Sequence, residues 1–85
     1  MEILILPKFE RQFKKLPQEI KEAAREKEKI FRKDPFDSRL KTHKLHGALK
    51  DFYAFSIAYS YRIIFDIADH DTARFYMIGD HDIYD

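Results

Sequence analysis

The chain has 85 residues, of which 45% are apolar and 36% charged, with a formal net charge of +1. That length sets one small domain over residues 1–85, with enough apolar matter for a compact core and a heavily solvated surface. There is no cysteine, which excludes disulfides and thiolate metal sites; Met1 to Pro7 is too short for a signal peptide or a membrane span, so a cytoplasmic protein with no membrane partner is expected.

Glu2 to Leu6 (EILIL) reads as a first strand closed by Pro7, which can open a helix because it has no N–H to lose in the first turn. Phe9, Phe13 and Leu16 fall at i, i+4 and i+7 of a short helix. Pro17 separates it from a longer one over 18–33, where Ile20, Ala23, Ala24, Ile30 and Phe31 recur among charges. Asp34-Pro35 ends that helix. Residues 34–50 read as loop or a short extra turn, with Gly47 marking a tight turn or a close backbone approach.

Three strands follow, over 51–59, 61–67 and 73–78, joined by short turns, so an antiparallel meander is expected. The expected fold is α+β, order β-α-α-β-β-β, an antiparallel sheet with a helical hairpin packed on one face. The place of the first strand is left open. Tyr53, Phe55 and Ile57 alternate with Ala54, Ser56 and Ala58, and Tyr61, Ile63, Phe65 and Ile67 repeat the alternation. The large residues face the helices. The small set and Arg62 then look outward, across a shallow groove.

Charge is split along the chain. Residues 1–50 hold 14 Lys/Arg against 8 Asp/Glu, a net of +6, and residues 51–85 hold 2 against 7, a net of −5. A basic face suited to phosphates is one consequence, a mixed solvated surface another. The densest basic stretch is 39–50, with Arg39, Lys41, His43, Lys44, His46 and Lys50. Arg62, alone among the apolar residues of its strand, must reach water, an acid or a phosphate; pairing with Asp66, two residues along the same face, also fits. An arginine can clamp a scissile phosphate while histidines move protons near neutral pH. With RNA the adjacent 2′-OH can attack, so no metal or cofactor is required. The Asp80, His81, Asp82 run has no metal-ligand spacing, and His70 reads as a turn residue.

Three ordered segments, KTHKLHGAL (41–49), YRIIFDI (61–67) and MIGDHDIY (77–84), together resemble the RelE/ParE superfamily of toxins from toxin–antitoxin pairs, the RelE/YafQ-type mRNA interferases most of all. The resemblance spans essentially the whole chain and implies the same β-α-α-β-β-β fold. It implies a ribosome-dependent endoribonuclease that cuts mRNA, partnered by a small acidic antitoxin that folds on contact and forms a toxin–antitoxin hetero-oligomer. By position it makes Arg62 the residue on the scissile phosphate, His81 and His43 the proton-transfer groups and Tyr84 the aromatic that orients substrate. Lys41, Lys44, His46, Lys50 and Ser56 would contact RNA. Several members carry lysines where this chain has Ala54 and Ser56. Others carry a histidine and an aspartate where it has Ser56 and Ser60, so the proton-transfer set is depleted. ParE-type relatives share the fold but poison DNA gyrase, which leaves a non-enzymatic toxin as the alternative.

Overall fold

The structure, a computed structural model, describes residues 1–80. Strand β1 (Glu2–Ile5) leads into helices α1 (Pro7–Lys14) and α2 (Gln18–Lys33), then strands β2 (His43–Lys44), β3 (Tyr53–Ala58), β4 (Tyr61–Asp69) and β5 (Thr72–Gly79). Pro7 sits in the first turn of α1, where its missing N–H would have had no helical partner. Asp34, before Pro35, is extended at φ −159° and ψ 106°, as steric conflict with the proline ring demands. Its Oδ1 accepts a 2.9 Å hydrogen bond from the Phe36 N–H and turns the chain away from α2.

The five strands lie in the order β1-β5-β4-β3-β2. The meander β3-β4-β5 is antiparallel, and β2 pairs antiparallel with β3 at one edge. β1 takes the other edge and runs parallel to β5. The helical crossover returns the chain so that β3 runs with β1, and the meander makes β5 run with β3, so β1 meets β5 parallel. The expected order β-α-α-β-β-β is the observed one, and the helices cover one face; the sheet is mixed, antiparallel except at the β1 edge. β2, two residues long, lies within the segment read as loop, as do single 3-10 turns over Ser38–Leu40 and Gly47–Leu49. Gly47 has φ +68° and a Cβ there would meet nothing, so the turn, not a close approach, is what calls for glycine.

The main core lies between helices and sheet. Phe31 of α2 is fully buried, with ring centroids 5.0 Å from Phe55, 4.8 Å from Phe65 and 5.1 Å from Phe75. The edge-on and offset arrangements of these rings are those aromatic quadrupoles favour. Beyond the end of β1, the β5 edge has no strand beside it among the described residues, and Gln12 Oε1 of α1 accepts the Ile78 N–H at 2.9 Å instead.

The outward face is not the open groove expected over its whole length. Ala54 and Ile64 are fully buried beneath Leu45, Leu49, Phe52 and Met77. The segment 45–52 folds back over one end of the sheet and builds a second, smaller core, which a pattern read strand by strand does not reveal. This face continues in the half-buried row Ser56, Arg62 and Gly79, where the three strands pair side by side.

Candidate active site

Arg62 reaches the outward face because its neighbours Tyr61 and Ile63 belong to the helix side and side chains alternate along a strand. It stands opposite Ser56 on β3 and Gly79 on β5. Ser56 is small and Gly79 has no side chain, so the guanidinium has space on both flanks. The arginine is half-buried, and its Nη1 is buried with no hydrogen-bond partner among the described residues. A cation in this state lacks the bonds that water would have given it. A tetrahedral oxyanion, with several acceptor oxygens, is the ligand that would supply them.

Asp66 does not serve as Arg62's partner. It accepts two bonds from Arg74, at 2.9 Å to Nε and 2.7 Å to Nη2, and a third from the Tyr76 hydroxyl at 3.1 Å. Alternation sets Arg74 and Tyr76 on the outward face, and the bulge in β5 between Phe75 and Met77 brings Met77 there as well. Hydrogen bonding to Asp66 raises the Arg74 pKa, and burial followed by the bond to Asp66 raises that of Tyr76. The Tyr76 ring meets Phe52 edge-on at 4.8 Å, which ties segment 45–52 to the sheet. This cluster was absent from the sequence reading. Alternation places Arg74 and Tyr76 on one face; the register that sets Arg74 opposite Asp66 is nonlocal.

His43 pairs with Ala54, itself opposite Ile64, so it lies on Arg62's face of the sheet, one pair row away. Its ring is exposed, and Nδ1 lies 3.2 Å from the Lys41 carbonyl oxygen. A carbonyl only accepts, so Nδ1 is the donor in this contact and Nε2 is left for other partners. Lys41 holds that carbonyl from the left-handed region, at φ 54°. Lys41, His46 and Lys50 are exposed around segment 41–50. Lys44 pairs with Tyr53, a residue packed against the main core; its side chain therefore emerges on the helix side and does not join Arg62. Ser56 is brought directly beside Arg62. His81 and Tyr84 lie outside the described residues. His70 is exposed in the β4–β5 turn.

Among the described residues no group of three or more His, Asp or Glu side chains could hold a metal ion, and no helix is long and apolar enough to cross a membrane. A hollow of about 340 Å³ opens on the helix side, lined mainly by Ile5, Phe9, Phe13, Ile63 and Phe75. Glu10, Arg25 and Glu28 also line it, and it lies on the far side of the sheet from Arg62.

No protein-family model and no curated protein matches the sequence. Solved structures do match the fold. The chain is similar to a YoeB/ParE toxin from Agrobacterium tumefaciens, with TM-score 0.80 and 12% identity over 95% of this chain and 99% of that one. It is similar to YafQ from E. coli, with TM-score 0.80 and 15% identity over 98% and 96%. The RelBE2 toxin–antitoxin complex from Mycobacterium tuberculosis gives TM-score 0.78 and 21% identity over 94% and 96%.

Proposed function

From the RelE/ParE-type toxin fold that this chain carries, we propose that it is the toxin of a type II toxin–antitoxin pair and acts as a ribosome-dependent mRNA endonuclease. The observation that carries this reading is Arg62: a half-buried guanidinium on the outward face of the sheet, unpaired at Nη1 among the described residues, while the neighbouring acid is occupied by Arg74. The matching toxins of Mycobacterium tuberculosis, Pyrococcus horikoshii and Staphylococcus aureus are held in complexes with an antitoxin, which supports a partner of that kind here. An acidic segment that folds on contact would compete with RNA for the same cations.

The chemistry follows from the donor set. The 2′-OH of one nucleotide attacks the adjacent phosphorus and the P–O5′ bond breaks, leaving a 2′,3′-cyclic phosphate and a 5′-OH. His43 Nε2 takes the 2′-OH proton, and His81 returns a proton to the leaving oxygen. Arg62 binds the non-bridging oxygens and gains most as their charge grows toward the transition state. Tyr84 orients the substrate. Ser56, Lys41, His46 and Lys50 contact the RNA, and Lys44 does so only around the sheet edge. The protein works in the cytoplasm, on the ribosome.

Induced expression without a partner should arrest growth, and primer extension should find cuts inside translated codons. Arg62→Ala should lower cleavage by about 10²- to 10³-fold, the range for removing one transition-state donor. Undiminished cleavage in Arg62→Ala would remove the site. A second reading is a non-enzymatic toxin that poisons gyrase. Ala54 and Ser56, where several family members carry lysines, favour it. A DNA damage response with intact mRNA would select it.

A further inference from the structure

We propose that Tyr59 is a stacking platform for a nucleobase of the single-stranded RNA whose phosphate Arg62 holds; this rests on the ribonuclease reading above. Tyr59 and Ser60 form the two-residue loop between β3 and β4, closed by the Ala58–Tyr61 pair. Tyr59 has φ 53°, in the left-handed region. A two-residue hairpin that needs a left-handed residue normally takes glycine, asparagine or aspartate there, because a Cβ crowds the following carbonyl. The β4–β5 turn needs no left-handed residue, and Asp69 Oδ1 accepts the Asp71 N–H there at 2.9 Å. The β3–β4 turn instead places a large aromatic where it is strained.

Burial does not offset that strain. Tyr59 is 86% exposed, the most exposed of the large hydrophobic residues, and among the described residues no ring stacks on it. Residues held in sparsely populated conformations without local compensation concentrate at sites that use them. The tip also lies one step beyond the Ser56–Arg62 pair, so a chain bound by phosphate at Arg62 passes the hairpin end. An exposed phenol ring on a rigid turn offers a π-face to any base, and such stacking is tolerant of sequence. Contact with a protein partner would use the same ring, but the strand that leaves this turn carries, at Arg62, a guanidinium suited to phosphate, which favours RNA.

The test compares Tyr59→Gly, Tyr59→Trp and the unaltered chain in two measurements. One is the thermal midpoint of the purified protein. The other is the rate of mRNA cleavage in a cell-free translation reaction, read by primer extension. Tyr59→Gly should melt higher by a few degrees, because glycine accepts the left-handed turn. It should also cleave about tenfold more slowly, the lower part of the range for losing one stacked base. Tyr59→Trp should recover most of the lost rate without the gain in stability. Cleavage by Tyr59→Gly at the unaltered rate overturns the proposal while leaving the ribonuclease reading intact. So does a glycine variant whose only loss is affinity for its antitoxin. If the unaltered chain cuts no mRNA, both readings fall together.

Discussion

Replacing Arg62 with methionine should make this protein more stable and inactive in the same step. Methionine keeps an unbranched stem of similar course, so packing along the sheet is retained while the guanidinium is lost. Arg62 Nη1 is buried without a partner among the described residues, and an orphaned buried donor costs about 1–3 kcal/mol. The residue is only half-buried, so its other nitrogens keep their water, and the lower end, about 1 kcal/mol, applies. In a domain of this size that corresponds to a rise in Tm of about 4–8 °C. The assay is thermal unfolding by circular dichroism at neutral pH, with Arg74→Met as the internal comparison. Arg74 donates twice to Asp66, so its loss strips a half-buried carboxylate of two bonds and should lower Tm. Opposite signs for two arginines on one sheet face are the signature of one built to bind and one built to hold. A lower Tm for Arg62→Met, comparable with that of Arg74→Met, would refute the reasoning and make Arg62 a structural residue.

Phe31→Ala should cost about 3–5 kcal/mol, since the ring is fully buried among three others, and Phe31→Leu markedly less; chemical denaturation measures both. Gln12→Ala leaves the part-buried Ile78 N–H without its acceptor and should cost about 1–3 kcal/mol. Amide exchange at Ile78 should speed up more than at Phe75, which keeps β1 beside it. Asp37 is held at a pKa of about 2 by the side-chain and backbone hydrogen bonds from Arg39. Its folded pKa lies below the ordinary value, so its contribution is fully present above about pH 4 and fades as pH falls toward 2. An NMR titration of the Asp37 carboxyl should find a midpoint near 2, and a higher one in Arg39→Ala, which loses the guanidinium but keeps the backbone N–H.

The parts of this fold visible in the sequence are those with a local signal. Alternation around Phe55, Ile63 and Phe65 assigned the strands and set Arg62 apart from the core, and prolines 7, 17 and 35 bounded the helices. What escaped notice depends on partners distant in sequence. β2 is two residues long and has no period of its own. Ala54 and Ile64 look like groove floor and wallpaper until segment 45–52 closes over them. Asp66 sits at a spacing that suits Arg62, and only the register of β5 gives it to Arg74 instead. Lys44 and His43 are adjacent in a basic run, yet strand pairing sends them to opposite faces. Tyr59 carried no signal as a turn residue because turn chemistry predicts glycine or asparagine at such a site.

The parallel seam between β1 and β5 has a temporal side. Glu2 pairs with Thr72 and Ile5 with Phe75, so β1 leaves the ribosome some seventy residues ahead of the strand it pairs with. During synthesis Ile3 has no core to pack against, and the helices have no finished sheet to rest on. A protein that binds this chain during synthesis would therefore meet it before the sheet is complete.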